Sequence, residues 1–120
     1  MSYEEITPQE AFEKTKEGYV YLDVRTVEEF EEGHAKGSVN IPIFVQSAEG
    51  RALNPKFIEE VKAKFPPSTK LVIGCRSGGR SAKACELLGP IGYKVLFNID
   101  GGFIGNEGQP GWQVCGLPCE

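Results

Sequence analysis

The chain has 120 residues, 17 acidic against 13 basic side chains, and a formal net charge of −4 at pH 7. With 40% hydrophobic and 25% charged residues of mixed sign, it is neither a disordered polypeptide nor a membrane-spanning one, and it lacks the broad basic footprint of a nucleic-acid binder. A chain this long removes about two-thirds of its unfolded surface from water on folding, so residues 1–120 are expected to form one domain, working as a monomer. The opening MSYEEITPQE has no basic n-region or apolar h-region, which points to the cytoplasm, or to an organelle if a transit segment has been removed.

ITPQEAFEKTKEG begins as a helix should: Thr7 serves as N-cap, Pro8 takes the first helical position and Glu10 completes a capping box, with Gly18 as the stop. Tyr19 to Val24, YVYLDV, is β-branched, aromatic and almost continuously apolar, as in a strand covered on both faces. RTVEEFEEGH repeats the start signal, with Thr26 as cap and Glu29 three residues on, before Gly33 ends a short helix. AKGSVNIPI holds at most a brief strand at Val39–Ile41, where Asn40 and Pro42 shape a turn. NPKFIEEVKAKF is the next helix, with Asn54 as cap, Pro55 in the first turn, and Phe57, Ile58, Val61 and Phe65 on one stripe. KLVIGC is a second strand, followed by a glycine-rich turn and the helix RSAKACELLG. YKVLFNIDGG is a third strand, closed by paired glycines. Strands alternating with helices in this way predict an α/β fold with a parallel sheet and helices on both faces. Ligands then sit at the carboxyl ends of the strands, where Asp23–Arg25, Cys75 and Asp100–Gly102 fall.

The segment VIGCRSGGRSAKA gathers Arg76, Arg80 and Lys83 around Cys75 in an acidic chain. A thiol between a strand end and a helix start meets inward backbone N–H groups and the helix's positive end, both of which favour a thiolate. Gly78 and Gly79 let the backbone curl around the sulfur. Arg76, Ser77, Gly78, Gly79 and Arg80 therefore form a candidate anion-binding loop about a nucleophilic Cys75. From Gly74, GCRSGGRS fits the phosphate-loop pattern G-x-x-x-x-G-K-[ST], except that Arg80 replaces the lysine, and an arginine is no substitute for that compact point charge. A cysteine-dependent phosphatase or arsenate reductase has a signature like H-C-x-x-x-x-x-R. Here Gly74 precedes the cysteine and only four residues separate Cys75 from Arg80.

CRSGGRS, with YLDVRTVEEFEEGHAKGSVNIP upstream and IDGGF, GW and GLP downstream, resembles a single-domain rhodanese, a thiosulfate:thiol sulfurtransferase. The likeness runs from about Ile6 to Pro118. It implies a central, mostly parallel five-stranded sheet with helices on both faces, and a six-residue loop from cysteine to arginine suited to a sulfane sulfur. It also implies that the Cys75 thiolate attacks the outer sulfur of thiosulfate, expels sulfite and carries a persulfide, which a thiol or cyanide acceptor removes. Backbone N–H groups of Arg76 to Arg80 would stabilise the sulfur anion and the arginines would position the donor. No metal or organic cofactor is implied. An arsenate reductase or phosphatase, and a non-catalytic sulfur-carrier or protein-binding module, stay open as alternatives.

Asp23, Arg25, Glu29 and His34 fall on positions the resemblance marks as possible support. Arg25 either faces the active loop or pairs with Asp23 to tie strand end to helix. Glu29 is placed to meet an arginine of the loop, and His34 reads as a hydrogen-bonded structural histidine. Cys85 belongs to the core. Cys115 and Cys119 are candidates for resolving a persulfide or pairing with each other, at an end expected to be mobile. The stretch FIGNEGQP lengthens the path from Gly102 to Trp112 beyond the family pattern and reads as a loop, either a lid or a surface insertion.

Overall fold

The computed structural model describes residues 3–120. Five parallel strands form the central sheet in the order β1-β7-β6-β2-β3, with β1 at Glu4–Ile6, β2 at Val20–Asp23, β3 at Val39–Asn40, β6 at Leu71–Gly74 and β7 at Leu96–Ile99. Strands β4 (Phe44–Ser47) and β5 (Gly50–Leu53) form a separate antiparallel hairpin. The helices are α1 (Pro8–Lys16), α2 (Val27–Glu32), α3 (Phe57–Lys64) and α4 (Gly79–Leu88), the last running into a short 3₁₀ turn at Gly89–Ile91.

The sheet sorts its side chains by parity, so each face carries its own core. Leu22, Leu71, Ile73 and Leu96 turn to the face covered by α3 and α4, through Phe57, Val61, Ala84, Cys85 and Leu88. Tyr21, Val72 and Ile99 turn to the other face, covered by Ala11 of α1 and by Phe103 and Trp112 from the C-terminal segment. Burial of each large aliphatic side chain contributes about 1.5–3 kcal/mol. All four residues of β6 are buried, as its continuous apolar sequence requires of a central parallel strand.

Both capping boxes form, Thr7 with Glu10 and Thr26 with Glu29. Helix α1 ends at Lys16 and Gly18 follows with φ +100°, a left-handed turn that glycine adopts without steric cost. The start of α3 differs from the expectation. Asn54 does not cap it; its Oδ1 accepts from Lys56 N at 3.0 Å and its Nδ2 donates to Pro42 O at 2.9 Å. Asn54–Lys56 is thus an Asx-type turn, and the helix begins only at Phe57. Asn40 likewise does more than shape a turn: its Nδ2 donates to Asp23 O and Arg25 O, at 3.0 and 2.9 Å, and fixes the end of β2.

The C-terminal residues, expected to be mobile, are docked. His34 and Glu120 exchange backbone hydrogen bonds at 3.0 and 2.8 Å, Lys36 N donates to Pro118 O at 3.0 Å, and Trp112 Nε1 donates to Pro118 O at 2.7 Å. Trp112 in turn packs edge-on against Tyr21 and Phe12. Among the described residues, no helix is long and apolar enough to cross a membrane.

Candidate active site

Cys75 follows the last residue of β6 and lies at the floor of the loop, 1% exposed. Gly78 has φ +118° and turns the chain into α4. Its N–H then points back at the sulfur, with N to Sγ at 3.1 Å. The Ser81 hydroxyl oxygen also lies close, 3.4 Å from Sγ. Gly79 needs no special backbone freedom: it opens α4, and a Cβ there would meet nothing within 4 Å. The cradle expected from the N–H groups of Arg76 to Arg80 is therefore narrower at Sγ itself, a single backbone amide with the Ser81 oxygen alongside and the positive end of α4 behind them.

Ser81 is held in turn. Its hydroxyl donates to the Asn98 Oδ1, and the Asn98 Nδ2 donates to both carboxylate oxygens of Glu5, at 3.0 and 2.9 Å, and to Gly78 O at 3.1 Å. A polar network running from the exposed Glu5 of β1 to the buried Asn98 of β7 and Ser81 of α4 thus sets the loop's floor. Neither Ser81 nor Asn98 emerges as a site residue from the sequence. Asn98 offers a signal nonetheless, as the one polar side chain in the apolar strand LFNI.

Arg80 forms a two-pronged ion pair with Glu29, Nη1 to Oε1 at 2.7 Å and Nη2 to Oε2 at 2.9 Å. The Arg80 hydrogen bond is the main cause that holds the Glu29 carboxyl down at about 2, against the opposing effect of burial. The same pair raises Arg80. Glu29 thus meets the loop as expected, but Arg80 is committed to it rather than free to hold an anion. Arg76 is exposed and lines a different cleft, beside Arg25, Glu29, Glu32 and Phe103.

Among the described residues, the Arg25 side chain makes no hydrogen bond to the Cys75 loop. It is buried and paired with Asp23 at 2.7 Å, donates to Gly33 O at 2.8 Å, and lies over the Phe103 ring at 4.5 Å. The tie between strand end and α2 is formed, and Arg25 also lines the cleft it shares with Arg76 of the loop. His34 stacks on Phe30 at 3.7 Å, its Nδ1 lies 2.8 Å from Phe30 O, and its Nε2 lies 3.6 Å from a Glu120 carboxylate oxygen. None of these contacts involves the Cys75 loop, so its place is architectural. Cys85 is buried and its thiol is pushed up to about 12 by that burial. Cys115 accepts from Gln9 Nε2 at 3.2 Å, and Cys119 pairs through its backbone with Ala35.

The stretch after β7 closes the loop from outside. Phe103 N donates to Cys75 O at 2.8 Å and Ile104 N to Arg76 O at 2.9 Å. Gly102 has φ +53°, and a Cβ there would overlap Cys75 O. The Asn106 side chain donates to Ser77 O at 3.0 Å and to Asp100 at 2.9 Å, while its own oxygen accepts from Gly108 and Gln109. Residues 103–111 are a loop, as expected, and it is bonded to the back of the Cys75 turn rather than standing free as a surface insertion.

Above Cys75 an open cleft of about 460 Å³ is lined by Ser77, Gly79, Arg80, Lys83, and by Phe44 and Arg51 of the hairpin. The hairpin went unassigned in sequence because its two connecting residues, Ala48 and Glu49, carry none of the Asn-Gly or Asp-Gly signals of a tight β-turn. On the far side of Cys75, a Cβ on Gly74 would lie 2.6 Å from the Tyr21 hydroxyl and 3.0 Å from its ring. Tyr21 is itself buried and packed on Trp112. The position before the cysteine has no room for the histidine of a phosphatase signature.

The family model described as "Rhodanese-like domain" matches residues 7–105. The chain is 43% identical over 101 residues to "Thiosulfate sulfurtransferase 16, chloroplastic" of Arabidopsis thaliana, covering 84% of this chain and 79% of that protein. It is 40% identical over 86 residues to "Protein HIGH ARSENIC CONTENT 1, mitochondrial" of the same plant, covering 72% of this chain and about half (51%) of that protein. Among solved structures, Rv0390 from M. tuberculosis superposes with a TM-score of 0.81 at 28% identity, covering 98% of this chain and 96% of that one. With this match and this five-stranded parallel α/β architecture, the chain belongs to the rhodanese-like domain family.

Proposed function

We propose that the protein is a sulfurtransferase that passes a sulfane sulfur from thiosulfate, or from a persulfide donor, to a thiol or cyanide through a persulfide on Cys75. The observation that carries this reading is the six-residue turn from Cys75 to Arg80, with Gly78 N–H 3.1 Å from Sγ. In the first half-reaction the Cys75 thiolate attacks the outer sulfur; a new S–S bond forms, the thiosulfate S–S bond breaks, and sulfite leaves with the electron pair. In the second, an acceptor thiolate or cyanide attacks that sulfur and Cys75 departs as thiolate. Fixed donors at the loop and the α4 terminus favour the negative charge on sulfur at each stage. No resident metal or organic cofactor enters either step. The protein acts as a monomer in the cytoplasm, or in an organelle once a transit segment is removed; the chloroplastic name of one relative supports the organellar form.

A second reading, arsenate reduction, is favoured by the name of the arsenic-related relative. Intact mass after incubation with thiosulfate separates them. A cyanide-labile gain of one sulfur atom, about 32 Da, abolished by Cys75→Ser and kept by Cys85→Ser, is the expected result. No adduct, with reduction of arsenate by a thiol, would transfer the assignment to the second reading. Neither activity would leave a sulfur-carrier or protein-binding module.

A further inference from the structure

Resting on the sulfur-transfer reading, we propose that Arg51 and Lys83 are the specificity-determining residues of the Cys75 cleft, forming an anion subsite that selects acceptor thiols bearing carboxylates. The loop arginines are ill placed for that task. Arg80 gives both terminal nitrogens to Glu29, and Arg76 faces the neighbouring cleft beside Glu29 and Glu32. Arg51 and Lys83 both line the cleft over Cys75. Both are exposed, and neither takes part in an ion pair among the described residues. They come from different elements. Lys83 stands one turn along α4 from Gly79, so it overhangs the helix start that faces Cys75. Arg51 comes from β5, its guanidinium 4.8 Å over the Phe44 ring of the paired strand. Stacking on an aromatic face orients the guanidinium while leaving its edge donors free for a carboxylate.

Size supports an acceptor larger than the inorganic donor. The cleft measures about 460 Å³, within the ordinary range for small organic ligands, and the space over Gly79 is empty to 4 Å from a notional Cβ. A thiol with one or two carboxylates would place its sulfur at Cys75 and its charges between Arg51 and Lys83. Phe44 would bound its carbon chain.

The test loads Cys75 with thiosulfate, removes excess donor, and follows discharge of the persulfide by mercaptosuccinate, a dicarboxylate, and by neutral 2-mercaptoethanol. In wild type the rate ratio, per thiolate, favours mercaptosuccinate. Arg51→Gln and Lys83→Gln each lower that ratio about tenfold, the size expected for losing one charge-assisted contact. Lys62→Gln, the same loss of charge on the exposed face of α3, keeps the wild-type ratio. A second readout does not need sulfur transfer: succinate should protect Cys75 from iodoacetamide in wild type and fail to do so in Arg51→Gln. If no persulfide forms but succinate still protects, the subsite stands while the transfer reading fails. Unchanged ratios, or equal protection by succinate in wild type and Arg51→Gln, would overturn the subsite.

Discussion

Glu29→Gln tests how much the anchoring of Arg80 contributes to the fold. The two side chains meet through two hydrogen bonds of 2.7 and 2.9 Å, with Glu29 26% and Arg80 14% exposed. A carboxyl held at about 2 rather than its ordinary 4.5 corresponds to about 3 kcal/mol in favour of the charged form in the folded state. Solvent at the exposed edge screens part of this, leaving about 2 kcal/mol. Because the folded value lies below the unfolded one, the contribution is complete above about pH 5 and is lost as the pH falls toward 2, with less than half remaining near pH 3. Urea unfolding of wild type and Glu29→Gln at pH 7 should show midpoints separated by about 1 M for a slope of about 2 kcal/mol/M. The separation should narrow steadily between pH 5 and pH 3. Coincident midpoints at pH 7, or a gap that persists unchanged in acid, would refute the view that this ion pair holds the loop to α2.

Three further substitutions or probes address neighbouring parts of the site. Gly102→Ala must accommodate both a left-handed backbone and overlap with Cys75 O; it should lower the thermal midpoint by several degrees and slow persulfide loading, and wild-type values in both assays would contradict this packing. Asp23→Asn removes the carboxylate from a buried Arg25 that, among the described residues, has only Gly33 O as a further side-chain acceptor, with an expected loss of about 3 kcal/mol in chemical denaturation; a loss below about 0.5 kcal/mol would show the pair to be dispensable. Cys85, buried and pushed up to about 12, should escape iodoacetamide at pH 8 in the folded protein and react only on unfolding. Peptide mapping that finds it labelled under native conditions would place it outside the core.

The parts of this protein that are legible in its sequence are those whose cause is local. Thr7 with Glu10 and Thr26 with Glu29 announce helix starts because the capping groups lie three residues apart. The apolar runs YLDV and LVIG announce buried strands because a parallel strand covered on both sides has no polar face to show. Cys75 stands out because strand, thiol, glycine and arginine crowd into one short segment. What could not be read depends on partners far along the chain. Strand β1 is three residues with two glutamates, EEI, and is a strand only because β7 pairs with it. Asn98 looks out of place in LFNI until Ser81 and Glu5 close around it, across 17 and 93 residues of sequence.

The same distinction bears on the charges that first mark the site. In sequence, Arg76, Arg80 and Lys83 are equivalent members of a basic cluster next to a thiol. In space they have separate fates: Arg80 is neutralised by Glu29 from a helix 51 residues away, Arg76 lines a second cleft with Arg25, Glu29 and Glu32, and Lys83 stays over Cys75. Arg51, which no local pattern links to the loop, is carried into the same cleft by a hairpin stacked through Phe44. Positive charge at the mouth is therefore supplied by Lys83, at the far end of the cysteine segment, and by Arg51, which lies outside it. On the proposed reading, the six-residue turn sets which atom reacts, while a side chain from the hairpin governs what approaches it. The two are then separable, with Glu29→Gln and Gly102→Ala acting on the turn, and Arg51→Gln and Lys83→Gln on the proposed choice of sulfur acceptor.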